Sequence, residues 1–201
     1  SHLAKFVGRE QELSLLLGRW REAVGGEGQV VLLSGEAGIG KSRMIRSLCD
    51  RLTDERYQTI QFQCSPYHTN TALYPAITFL RQAAGLASQD SAQMQLNKLD
   101  AMARESGIEN QNTMSLLADL LSIRGDHRYQ PLNVSSERRK DMTLGAIEYY
   151  LERLADRCPV LFMVEDAHWL DPTTLDLMTR INGRIRELRV LLLITFRSEF
   201  K

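Results

Sequence analysis

The segment Gly35-Glu36-Ala37-Gly38-Ile39-Gly40-Lys41-Ser42, preceded by the apolar run Val30-Val31-Leu32-Leu33, constrains the fold more than any other. It reads as strand, glycine-rich loop and helix, the setting that a phosphate-binding P-loop requires. Gly35, Gly38 and Gly40 let the backbone turn tightly and bring N–H groups close to phosphate oxygens, where a Cβ would interfere. The helix that follows adds its positive N-terminal end. Lys41 can reach the β- and γ-phosphates of a nucleotide, and Ser42 can place its hydroxyl on Mg²⁺. Glu36, Ala37, Ile39 and Arg43 complete the candidate phosphate-binding stretch.

With 201 residues the chain has room for one α/β domain with a real core. A net charge of +0 gives no reason to expect nucleic acid or an anionic membrane as a partner. The short basic run Arg138-Arg139-Lys140 lies between Glu137 and Asp141 and reads as a solvated helix face. No apolar run approaches the roughly 18 residues of a membrane span, and Ser1-His2-Leu3-Ala4-Lys5 has no signal-peptide core. Cys49, Cys64 and Cys158 are scattered, with no C-x-x-C, as expected of reduced thiols in a cytoplasmic protein. The histidines are equally dispersed, so no structural metal is expected.

Leu13, Leu16, Leu17 and Trp20 recur at helical spacing and predict an amphipathic helix over Glu10–Ala23. Gly25-Gly26-Glu27-Gly28 ends it. The P-loop strand covers Gln29–Ser34 and its helix Lys41–Leu52; Tyr57–Gln63 is a second strand. A polar loop over 64–71 precedes a helix over Tyr74–Ala84, then helices near Ala92–Arg104 and Thr113–Ile123. Residues 85–134 can serve equally as a partner surface or as a cover over the sheet. Ser136 is the expected cap of a long helix to Arg157, with a stripe of Met142, Ile147, Tyr150, Leu151 and Leu154. Pro159 breaks it, Val160–Val164 is a buried strand, Thr173–Ile181 a helix, and Arg189–Thr195 holds the last strand. Strands alternating with helices predict an α/β fold with a mostly parallel sheet covered on both faces.

Leu161-Phe162-Met163-Val164-Glu165-Asp166 is an apolar strand ending in two acids, a Walker B pattern. Ligands of open α/β sheets gather at the carboxyl ends of strands, where these acids sit. By position Glu165 takes the metal role and Asp166 polarises the attacking water. The order Glu then Asp reverses the common one, and the shorter Asp166 falls where a longer base is usual, which can slow hydrolysis. His168 can sense a γ-phosphate or simply pack against Trp169, and Asp171 is placed to cap a helix. Ile194-Thr195-Phe196-Arg197 closes the last strand; Arg197 reads as a phosphate sensor or as a solvated arginine.

Taken in order, these motifs resemble one family. Phe6-Val7-Gly8-Arg9-Glu10 resembles the hydrophobic-hydrophobic-Gly-Arg-Glu motif at the start of STAND-class AAA+-type ATPases. Gly35–Ser42, the Walker B stretch Val164-Glu165-Asp166-Ala167-His168-Trp169 and Thr195-Phe196-Arg197 fit the same class. The chain is most similar to the AAA ATPase modules of large bacterial regulators. These are LuxR-type transcription factors and class III adenylate/guanylate cyclases that carry such a module followed by TPR repeats. Cys64-Ser65-Pro66-Tyr67-His68 through Leu73-Tyr74-Pro75 resembles the cyclase-associated branch.

The resemblance implies a three-layer P-loop NTPase fold in which the P-loop strand lies between a fifth strand and the sensor strand. Residues 1–201 would be one NTPase core: N-terminal helix 9–24, P-loop 35–42, helical insertion about 70–134, Walker B 160–166 and sensor strand 189–197. ATP or ADP and Mg²⁺ are the implied cofactors. Val7, Gly8 and Arg9 would lie near adenine and ribose, the P-loop would hold the phosphates, Ser42 and Glu165 the metal, Asp166 the water and Arg197 the γ-phosphate. The implied partners are other domains of the same longer protein, a cyclase, TPR or DNA-binding output domain, with homo-oligomerisation open. Lys201 follows directly on the sensor strand, so the expectation is a fragment truncated before the fifth strand and the helical lid, with weak nucleotide affinity and an exposed P-loop strand.

The resulting functional expectation is an ATP-binding regulatory switch with slow turnover. A binding-only module is the main alternative, supported by the reversed acidic pair. A P-loop kinase for a small metabolite is another, weakened because Arg180, Arg184 and Arg186 read as a solvated face rather than an arginine-rich lid. No guanine-reading Asn-Lys-x-Asp motif occurs.

Overall fold

The computed structural model describes residues 10–36, 40–124 and 128–197. Helix α1 (Glu10–Val24) leads into strand β1 (Gln29–Ser34), helix α2 (Lys41–Arg51) and strand β2 (Gln58–Gln63). Helices α3 (Tyr74–Ala83), α4 (Ala92–Ser106), α5 (Gln111–Leu120) and α6 (Ser136–Arg157) follow. Strand β3 (Val160–Glu165), helix α7 (Pro172–Arg184) and strand β4 (Val190–Phe196) complete the described chain. The four strands form one sheet in the order β1-β4-β3-β2, and every neighbouring pair is parallel. This bears out the expected α/β P-loop NTPase architecture and the implied place of the P-loop strand β1 beside the sensor strand β4.

Two cores sandwich the sheet, and side-chain alternation divides the strand residues between them. On one face α1 and α2 pack on Leu161, Met163, Leu191 and Leu193. The helical spacing of Leu13, Leu16, Trp20 and Ala23 aims α1 at this layer. On the other face α3 to α7 cover Ile60, Phe62, Val160, Phe162, Val164, Val190 and Leu192. Central strand β3 is buried from Val160 to Val164 because both of its faces are covered. Edge strand β2 alternates instead, with Ile60 and Phe62 inside and Gln61 and Gln63 exposed. Strand β1 lies at the other edge of the described sheet, and its Leu32 is 60% exposed.

Two expectations shift, and a third gains detail. The cap of α6 is Ser135, whose Oγ accepts from Arg138 N at 3.3 Å; Ser136 is already inside the helix. Helix α5 begins and ends earlier than expected, at Gln111 and Leu120, because Asn110 caps it by accepting from Thr113 N. The basic positions read as solvated faces are indeed largely exposed, and several of them also form surface ion pairs. Lys140 Nζ lies 2.6 Å from Asp176, Arg180 pairs with both Asp141 and Glu148 at 2.8 Å, and Arg184 pairs with Glu152. These pairs join α6 to α7, and Arg139 reaches Asp119 of α5 at 3.0 Å. Among the described residues no helix is long and apolar enough to cross a membrane.

Candidate nucleotide-binding site

A parallel sheet brings the C-terminal ends of its strands to one side. Here that side collects Gly35 after β1, Glu165 and Asp166 at the end of β3, and Arg197 after β4. The register sets Ser34 beside Phe196 and Val164 beside Ile194, so the three strand ends are neighbours.

The helix that opens here is α2. Its cap is Gly40, at φ 94°, a left-handed conformation that glycine reaches without strain. No side chain caps its first turn, and no acidic residue lies there. Among the described residues the first-turn N–H groups of Lys41 and Ser42 can therefore turn to an outside acceptor. The Lys41 ammonium lies in the loop that precedes it, donating to the carbonyls of Gly35 at 2.5 Å and Glu36 at 3.0 Å. Ser42 and Arg43 follow on the first turn.

Strand β3 supplies the acids. Alternation places Glu165 with Leu161 and Met163, on the face that carries α2. Its Oε1 accepts a hydrogen bond from Gln61 Nε2 at 2.7 Å. Asp166 stands beyond the strand with φ 55° and ψ 46°, a left-handed conformation that turns the chain sharply. Its backbone N–H donates to Thr195 Oγ1 at 3.0 Å, and Thr195 is 3% exposed. The hydroxyl of β4 thus fixes the turn that carries the acid of β3.

His168 follows on a 3₁₀ turn spanning Ala167–Trp169, with its ring 5.0 Å from that of Trp169. The packed pair, one of the two sequence readings, is therefore present. Burial holds the His168 pKa below its ordinary value; the Asp166 carboxylate opposes this, while the Arg197 and Lys41 cations add to it. Three of the charged groups expected at the site thus act on one imidazole. Cys64 is buried beside them, and burial together with Asp166 and Asp171 pushes its thiol up to about 12, so it stays protonated and unreactive at neutral pH.

Beyond the 3₁₀ turn, Asp171 caps α7. Its Oδ1 accepts from Thr173 N and Thr174 N, both at 3.0 Å, and from Leu73 N at 3.3 Å, while Oδ2 accepts from the Thr174 hydroxyl. The capping role expected of Asp171 is borne out; its reach to Leu73 was not foreseen.

Of the sequence-predicted site residues, Gly35, Glu36, Gly40, Lys41, Ser42, Arg43, Glu165, Asp166 and Arg197 are described and lie on this side of the sheet. Val7, Gly8, Arg9, Ala37, Gly38 and Ile39 lie outside the described residues. Sequence reasoning missed two supports, the Thr195 hydroxyl under Asp166 and the Gln61 amide on Glu165. The first had a signal, a lone hydroxyl residue in an apolar strand. The second had only the outward alternation of Gln61 along β2.

The donor set suits magnesium. Mg²⁺ takes oxygen ligands and is usually held by one or two carboxylates together with substrate phosphates. Glu165 and Ser42 offer a carboxylate and a hydroxyl. Among the described residues no cluster of His, Cys, Asp and Glu forms an all-protein cage, so softer metals have no competing site there.

A family model described as AAA ATPase domain matches residues 5–194 of this chain. An uncharacterized protein of Rhizobium meliloti (strain 1021) is 32% identical over 195 residues, which is 96% of this chain and 19% of that protein. The chain spans about a fifth of the length of the relative it matches.

Proposed function

This chain belongs to the AAA ATPase domain family, and on that premise we propose that it is an ATP-binding regulatory switch within a larger signalling or transcription-regulating protein. The family binds ATP or ADP with Mg²⁺. The observation that carries the reading is the uncapped start of α2, with Gly40 at its head and Lys41 lying in the loop before it, beside the acids of β3.

In this reading the N–H groups of α2 and Lys41 bind the phosphates. Ser42 and Glu165 hold Mg²⁺, which when bound supplies positive charge against the β- and γ-phosphates. Asp166 orients the attacking water and accepts its proton, and Arg197 contacts the γ-phosphate. Val7, Gly8 and Arg9 line the adenine and ribose. ATP and ADP differ in what they offer Lys41, Glu165 and Arg197, so they favour different arrangements of neighbouring domains. Residues 1–201 act as one core with a helical insertion at about 70–134, in a cytoplasmic protein of the cyclase-associated or LuxR-like kind.

Isothermal titration of MgATP into the wild type and Lys41→Ala tests the site. We expect binding in the wild type and at least about tenfold weaker binding in the variant, the cost of losing a charge-assisted phosphate contact. Equal affinity in both would sink the reading. A second reading, a module that binds without hydrolysing, is favoured by the short Asp166 standing after Glu165. Phosphate release that is absent in the wild type would select it, whereas release unchanged in Asp166→Asn would remove Asp166 from the water-activating role.

A further inference from the structure

We propose that Gln61 is a positioning residue for the metal-binding carboxylate, an inference that rests on the assignment of Glu165 above. Gln61 sits on β2, opposite Met163 of β3 and therefore diagonal to Glu165. Diagonal neighbours in a sheet meet only through long side chains. Gln61 spans the gap and donates Nε2 to Glu165 Oε1 at 2.7 Å, although 104 positions separate the two in sequence. Gln63, the register partner of Glu165, lies closer along the strand, and among the described contacts it gives the carboxylate nothing.

The chemistry of the donor matters. A lysine or arginine at this place would also orient Glu165, but it would neutralise the carboxylate and repel a divalent cation. The amide holds one oxygen and leaves the negative charge intact. Among the described contacts Oε2 accepts no hydrogen bond, so it can serve a cation. Carboxylates that ligate metals are commonly held by such outer partners, whose loss weakens metal affinity by about 10- to 100-fold. The hydrogen bond is solvent-exposed, so it adds little to folding. Its value to the molecule is the orientation of Glu165.

The test is the Mg²⁺ dependence of ATP binding, read by titrating MgCl₂ at fixed ATP. The wild type is compared with Gln61→Leu, which keeps the bulk without the donor, and with Gln61→Lys, which keeps a donor but adds charge. Gln63→Leu is the control. We expect half-maximal Mg²⁺ to rise about tenfold in Gln61→Leu, and further in Gln61→Lys. Metal-free ATP binding and the melting temperature stay at wild-type values in Gln61→Leu, and Gln63→Leu behaves as wild type throughout. The proposal is overturned if Gln61→Leu keeps the wild-type Mg²⁺ dependence, or if Gln63→Leu shifts it equally. A wild type that binds ATP with no Mg²⁺ dependence overturns the assignment of Glu165 and this inference with it.

Discussion

Two of the described helices that follow the carboxyl ends of strands, α2 and α7, have first turns that are finished in opposite ways. Helix α7 is closed by the protein itself. Asp171, 3% exposed, accepts the N–H groups of Thr173 and Thr174 and also that of Leu73. Helix α2 has only Gly40 at its head, with no side-chain acceptor. The same electrostatics, N–H groups at the positive end of a helix, is consumed internally at α7, while among the described residues no side chain takes it up at α2. Helices α4, α5 and α6 follow the α7 pattern, with Ser91, Asn110 and Ser135 as caps. Helix α3 also lacks a side-chain cap, but Pro75 in its first turn removes a donor there. Against that background the start of α2 is the one that the proposed nucleotide site uses.

Removing the closed cap should have the largest effect. Asp171→Ala leaves three backbone N–H groups without their acceptor, and Leu73 is held in a left-handed conformation at φ 59° beside it. Lost caps and unsatisfied buried donors together predict a destabilisation of about 3 kcal/mol, measurable by urea denaturation. A loss under about 1 kcal/mol would mean that water substitutes for the carboxylate and that α7 is not truly closed.

At α2 the comparison predicts the reverse balance, function lost before stability. Gly40→Ala forces a Cβ into the left-handed region at φ 94° and costs about 1–2 kcal/mol. In the proposed site the added Cβ would stand where the phosphates approach, so MgATP affinity should fall more than tenfold while the fold persists, about 1.4 kcal/mol or more of binding. A variant that melts early but binds ATP normally would show that Gly40 serves only the turn.

How far all this was legible in the sequence follows from the range of the interactions. The strands were plain because Val160–Val164 and Val190–Ile194 are continuous apolar runs, which buried parallel strands require. The Asp171 cap was legible because its main partners lie two and three residues away. Its bond to Leu73 spans 98 positions and the Gln61–Glu165 bond 104, and no local pattern encodes either. The ionic joint between α6 and α7 was not legible for the same reason, since periodicity says that Arg180 and Arg184 are not in the core but not which carboxylates they meet. Adjacent serines at 135 and 136 left the start of α6 uncertain by one residue, within the usual fraying of helix limits.

The turn between the two helix starts gives a smaller effect. Thr195→Val keeps the shape of the buried side chain but removes the acceptor of the Asp166 N–H. We expect a stability loss of about 1 kcal/mol, because one donor loses its partner next to a left-handed residue. The sharper reading is catalytic: ATP affinity should hold while phosphate release slows, since Asp166 loses its anchor but the phosphate cradle does not. A parallel drop in affinity would tie Thr195 to α2 and blur the distinction between the two helix starts.

The smallest expected effect is on pH dependence, and it sharpens the comparison because His168 stands on the turn that leads to the closed helix and feels the charges of the open one. Its folded pKa lies below the ordinary 6.5, chiefly through burial, with Arg197 and Lys41 assisting against Asp166. The unfolded chain therefore takes up this proton first as pH falls. The contribution of His168 to stability is complete above about pH 6.5 and shrinks as pH falls from there through the folded pKa. Thermal melts of the wild type and His168→Asn between about pH 8 and 5 should show a shallower acid-side decline in the variant. Bound ATP adds negative charge beside Lys41 and Arg197, which screens the two cations that disfavour the imidazolium. With saturating MgATP the difference between the two melting profiles should therefore narrow. Profiles that differ by the same amount with and without nucleotide would place the phosphates out of reach of His168, and would confine its role to packing against Trp169.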